Sequence, residues 1–188
     1  ASLMPLINSS VLYSYIGNPA KAEENLKKAL QVDPLNEAAN LNLGLLMAEQ
    51  GKMAEAEKAL KTALSANPQQ AVAAYNLSVI VAKRNVAEAV GYAEMAVKAR
   101  PDEPKYAYTL AYYQVENNQK AGAEKTLKTL IRDNPLYLNA VSFLADIYLR
   151  DGKKQEALKL YQQTLKTEGL SEQDKAGIRQ AMEAILKN

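Results

Sequence analysis

The stretch NLGLLMAEQGKMAEAEKALKTALSANP, residues 42–68, decides the fold. It opens on apolar residues at helical spacing, breaks at Gly51-Lys52, resumes as a second amphipathic run and stops at Asn67-Pro68. That is the sequence of two short helices joined by a tight turn and closed by a proline that no helix can continue through. Helices of roughly a dozen residues are marginal alone in water, so the pair must pack against something like itself.

The rest of the chain supplies the copies. Pro34, Pro68, Pro101 and Pro135 are spaced by 34, 33 and 34 residues, the sign of a stacked-repeat protein. With each proline placed at position 32, repeats span 3–36, 37–70, 71–103, 104–137 and 138–170, and residues 171–188 follow as a terminal helix. Position 20 is alanine in all five repeats: Ala22, Ala56, Ala89, Ala123 and Ala157. Position 8 is small in all five: Ser10, Gly44, Ser78, Ala111 and Ala145. Small side chains there let two helix backbones approach, while larger apolar residues at positions 7, 24 and 28 fill the space between repeats. Gly17-Asn18-Pro19, Gly51-Lys52, Asn117-Asn118 and Asp151-Gly152 mark the turns between paired helices. The third repeat is one residue short, and Arg84-Asn85-Val86 is where the loss fits. Ser171 with Asp174 approximates a capping box opening the last helix, and Ile178, Met182 and Ile185 follow at helical spacing.

Leu43, Gly44, Gly51, Ala56, Leu60, Ala63 and Pro68 together resemble the tetratricopeptide repeat, and the likeness runs over about residues 3–168. Ser9 where leucine is expected, the missing turn glycine of the third repeat and Gly169 in place of proline depart from it. The resemblance implies an all-α protein, a right-handed α-solenoid of antiparallel helix pairs, forming a single superhelix closed by a capping helix over 171–188. It also implies a concave groove lined by the first helix of each pair, mainly at positions 5 and 9. Those positions hold Ile7 and Val11, Leu41 and Leu45, Tyr75 and Val79, Tyr108 and Tyr112, then Ser142 and Asp146. Residues four apart share a helix face, so the pairs are expected to form one stripe, with Lys83, Glu49, Glu116 and Arg150 as a mixed-charge rim. Family members that grip a C-terminal carboxylate use Lys, Asn and Arg there; repeats one to four have none at positions 5 and 9. An apolar peptide or amphipathic helix suits such a stripe better. Two other readings stand beside it: packing against neighbouring helices, and self-association.

Composition narrows the chemistry. The chain of 188 residues has 23 basic and 21 acidic residues, a net charge of +2, no histidine and no cysteine. Balanced charge argues against a nucleic-acid partner even with eleven tyrosines available for stacking. Without His and Cys the commonest general base, metal ligand and thiol nucleophile are missing, so neither an enzyme, a metal site nor a cofactor is expected. The lack of cysteine fits either side of a membrane. Residues 1–20 carry no charge, but Pro5, Asn8, Ser9, Ser10 and Ser14 break them up too often for direct membrane insertion. Asn8-Ser9-Ser10 and Asn76-Leu77-Ser78 match a glycosylation pattern, yet their place within a helix predicts packing instead. Asp146 and Arg150, four apart, are expected to form a surface ion pair. The expectation is a scaffold for a protein or peptide partner. The alternatives are a homo-oligomer joined through the apolar N-terminal end (Leu3, Met4, Leu6, Ile7, Val11, Leu12) and an adaptor segment of a larger protein.

Overall fold

The computed structural model describes residues 2–187. Among them are eleven α-helices and no strand. The chain divides into two compact units, one up to Pro101 and one from Asp102.

The first unit holds three helix pairs: α1 (Met4–Tyr15) with α2 (Pro19–Val32), α3 (Glu37–Glu49) with α4 (Met53–Ala66), and α5 (Ala71–Ala82) with α6 (Val86–Ala99). Each pair packs internally, α2 on α3 and α4 on α5 join successive pairs, and α1 also meets α3. The second unit holds α7 (Pro104–Glu116) with α8 (Lys120–Asp133), α9 (Leu138–Arg150) with α10 (Lys154–Thr164), and then α11 (Glu172–Lys187). Here α8 packs on α9 and α10 on α11.

The repeating positions do in three dimensions what their size dictates. All five alanines at position 20 are fully buried. Of the small residues at position 8, Ser10, Ser78, Ala111 and Ala145 have at most 1% of their surface exposed. At Gly44 the approach is tight: a Cβ there would lie 2.6 Å from Cγ of Leu60 and 3.2 Å from the carbonyl of Ala56. Leu26, Leu60 and Leu127 at position 24 are fully buried on the partner helix.

The turns explain the short third repeat. Gly17, Gly51, Asn118 and Gly152, all at position 15, have φ of 76°, 75°, 58° and 72°, the left-handed conformation that ends a helix. In the α5–α6 turn no residue takes it. Asn85 donates its backbone N–H to the Val81 carbonyl at 2.9 Å, and its side chain accepts from the Glu88 N–H at 3.1 Å. The lost residue is thus the left-handed one, and Asn85 passes directly from ending α5 to capping α6. Ser171 and Asp174 form the capping box, with the Asp174 N–H donating to Ser171 Oγ at 3.0 Å and the Ser171 N–H to Asp174 Oδ2 at 3.3 Å.

An unanticipated feature is a bracket of charge within each unit. Glu23, Glu57 and Glu124, all at position 21, each pair with a lysine one turn on and with a base from the next helix pair. Glu57 is the tightest: Arg84 donates two hydrogen bonds of 2.7 Å to its carboxylate, and Lys61 lies at 2.7 Å. These bonds hold the Glu57 carboxyl down at about 2, against an ordinary 4.5.

Candidate functional site

In the first unit the stripe residues fall into three groups. Val11 and Val79 are exposed, at 52% and 44%, and Lys83 is exposed at the rim. Leu41, Leu45 and Tyr75 are half-buried. Ile7 is different. It is only 3% exposed and joins Leu26, Leu46 and Met47 in the core, so it packs and does not line an open face. The geometry brings Val11 and Leu45 together: with Ser14, Asn42 and Glu49 they wall a cleft of about 120 Å³ between α1 and α3.

In the second unit the stripe is aromatic. Tyr108 is half-buried and packs edge-on to Tyr137, with ring centroids 5.9 Å apart, and against Phe143 at 5.6 Å. Tyr112 is 49% exposed and meets Tyr113 at 5.7 Å and Phe143 at 6.5 Å. Phe143 and Tyr137 are members that the two stripe positions do not include. The signal for Phe143 was an aromatic at position 6 of the fifth repeat, where repeats one to three have asparagine. Ser142 and Asp146 are exposed on the same helix as Phe143.

Two further expectations fail. Asp146 and Arg150 form no salt bridge among the described residues; both are exposed, where such a pair is worth under about 1 kcal/mol and side-chain entropy decides. Asn8 is exposed rather than packed. Asn76 is half-buried and donates from Nδ2 to the Val72 carbonyl at 2.8 Å.

The first helix ends in an apolar surface: Met4, Leu12, Tyr15 and Ile16 are 52%, 58%, 90% and 60% exposed. Among the described residues no helix is long and apolar enough to cross a membrane, and no cluster of three or more His, Cys, Asp or Glu side chains is placed to hold a metal ion.

Several solved structures share this fold. YrrB, described as a TPR protein with an unusual peptide-binding site, is 17% identical, with 99% of this chain and 91% of that one covered at a TM-score of 0.77. MamA is 21% identical over 83% of this chain and 92% of that one, at 0.74. A tetratricopeptide repeat protein from Parabacteroides merdae ATCC 43184 is 20% identical over 98% of this chain and 73% of that one, at 0.75. No curated protein matches by sequence. Tetratricopeptide-repeat family models match residues 17–77 and residues 108–174, well over half the chain between them. With buried alanines and left-handed turn residues recurring at the positions the motif requires, the chain belongs to the tetratricopeptide repeat family.

Proposed function

We propose that this protein is a non-catalytic scaffold that binds a protein partner, taking an apolar or amphipathic peptide on the first-helix faces of its units. Stacked helical repeats build extended binding surfaces rather than enclosed reaction sites. The observation that carries the reading is the exposed apolar and tyrosine side chains at the stripe positions, Val11, Val79 and Tyr112, flanked by half-buried Leu41, Leu45, Tyr75 and Tyr108. Exposed apolar side chains gathered on one kind of helix face mark an interaction surface, and tyrosine is favoured at binding hot spots. No cation occupies these positions, so the surface does not suit a carboxylate grip. The peptide-binding site ascribed to YrrB supports the reading by analogy of fold.

A peptide library displayed against the intact chain tests it. Enriched peptides should share apolar residues at helical spacing, and Val11→Ser and Tyr112→Ala should each weaken their binding about tenfold with an unchanged melting curve. Enriched peptides without that spacing, or binding indifferent to both variants, would sink the proposal.

A second reading rests on Tyr15, Ile16 and Leu12, whose exposure exceeds that of every apolar or tyrosine residue of the stripe. They make self-association through α1 the alternative, and a partner-independent rise of mass with concentration in light scattering, abolished by Tyr15→Glu, would favour it.

A further inference from the structure

The fit of α11 against the rest of the second unit is incomplete. The helix packs on α10, and Ile178 and Ile185 are the two side chains it buries. Two clefts flank the buried ring of Tyr161. One, of about 560 Å³, lies between Leu138 and Ser142 of α9 and Ala176, Gly177 and Ala181 of α11. The other, of about 420 Å³, runs from Asp146 and Leu149 of α9 to Ala181 and Ala184. Side-chain size makes them. Tyr161 stands where three of the other helix pairs carry leucine, and the small residues of α11 do not reach across beside it. Surfaces that face open volume gain no packing there.

The polar bonds of α11 are local to it. The capping box of Ser171 and Asp174 closes its first turn, Lys175 pairs with Glu172 at 2.8 Å and Lys187 with Glu183 at 3.8 Å. No salt bridge joins α11 to another helix among the described residues. The preceding pairs differ: Glu124 of α8 is bridged to Lys153 at the start of α10, and Lys120 of α8 to Asp151 between α9 and α10. The lead-in to α11 is anchored up to Leu170, which is buried in the core of the unit, and Ser171 beyond it is exposed. The joint between anchored and unanchored chain therefore falls between Leu170 and Ser171.

We infer that α11 is a detachable cap: it leaves the second unit as one piece, turning at the joint before Ser171 while Leu170 stays in the core, and α7 to α10 remain folded. Local stability follows buried apolar contact, and α11 has two anchors and two clefts where α9 has a continuous buried face. Departure bares Tyr161 together with Ile178 and Ile185, so the cap governs whether this apolar edge meets water. Once undocked, a helix of 16 residues is marginal in water, and its amides exchange. The inference goes beyond the scaffold reading and does not rest on it.

Native-state hydrogen exchange of the whole chain, read amide by amide by NMR, tests the cap. Amides over 176–187 should exchange at one common rate, at least about tenfold faster than the protected amides of α9 and α10. Ile178→Ala removes one anchor and should speed that set about tenfold while α9 and α10 keep their rates. Ala181→Leu puts bulk where both clefts meet α11 and should slow the set about tenfold. Protection equal to that of α9 would overturn the inference. So would rates that fall smoothly from Lys187 inward, which is fraying of an end and not departure of one piece. Ile178→Ala speeding α9 and α10 as much as α11 would show one cooperative unit and no cap, and Ala181→Leu without slower exchange would show that the clefts do not loosen the helix.

Discussion

The two units start their helices differently. In the first, α2, α3, α5 and α6 begin on a side-chain cap, supplied by Asn18, Asn36, Gln70 and Asn85. In the second, α7 to α10 begin without one, and Ser171 alone caps α11. Their cores differ in the opposite sense. The first helices of the first unit bury small residues, among them Ala39, Ala71, Ala73 and Ala74, whereas the second unit buries Tyr106, Tyr113, Tyr148 and Tyr161. Alanine contributes little burial energy, so helices that pack through it depend more on local signals. Large rings remove much apolar area, and α7, α9 and α10 bury them without a side-chain cap, whereas α8 has neither a buried ring nor a cap. Side-chain capping is thus commoner in the first unit and ring burial in the second, although α1 and α4 also start without a side-chain cap.

The largest effect that separates the two modes is expected at Tyr148. It is buried, and Lys128 and Lys153 lie 5.8 and 6.0 Å from its ring centre. Tyr148→Ala should cost about 3 kcal/mol in chemical denaturation, several times the loss of a cap. A loss no larger than that of a cap would remove the contrast.

Two glycines within the first unit differ next. Gly44→Ala forces a methyl into Leu60 and the Ala56 carbonyl and should cost about 1–3 kcal/mol. Gly91→Ala, in α6, meets nothing within 4 Å and should stabilise by about 1 kcal/mol through helix propensity alone. Thermal melts of the two variants should move in opposite directions.

Most of this framework was legible in the sequence because it depends on spacing. Five alanines at one position, a proline closing four of the five repeats and a deletion at Arg84-Asn85-Val86 are counts, and counts survive without coordinates. The failures concern direction. Position 5 predicted an open face for Ile7, but α1 turns that residue into the core beside Leu26. Asp146 and Arg150 have the spacing of an ion pair, but spacing does not choose rotamers. The clefts beside Tyr161 needed the ring's placement before the small residues of α11 became empty volume. The charge brackets were legible and missed: Glu23-Lys27, Glu57-Lys61 and Glu124-Lys128 recur at one position of the repeat.

Those brackets give a pH test confined to the first unit. Glu57 has its folded pKa depressed to about 2, so the unfolded chain binds more protons between about 2 and 4.5. The bracket's contribution is full above about 4.5 and is lost as pH falls through about 2. Glu57→Gln should cost about 1–2 kcal/mol at neutral pH and nothing near pH 2. Denaturation midpoints of variant and parent that stay equally separated down to pH 2 would reject the bracket.

The smallest expected change transplants one unit's habit into the other. Glu103 begins α7 with extended backbone, φ −99° and ψ 100°, and its side chain makes no cap hydrogen bond. Pro104 follows at the first helical position, where a fixed φ and a missing N–H cost nothing. The backbone is thus already shaped for a cap, and glutamate is one methylene too long to reach back to the N–H groups of the first turn. Glu103→Asp should supply the bond and stabilise the chain by about 0.5–1 kcal/mol, without removing the charge that favours a helix N-terminus. Asn85→Ala should lose about 1 kcal/mol in the first unit, where the same residue both ends α5 and opens α6. If Glu103→Asp stabilises and Asn85→Ala destabilises, caps act alike in both units and the second merely does without them. If Glu103→Asp is neutral while Asn85→Ala is costly, ring packing has already fixed the start of α7 and the two modes of stabilisation are exclusive.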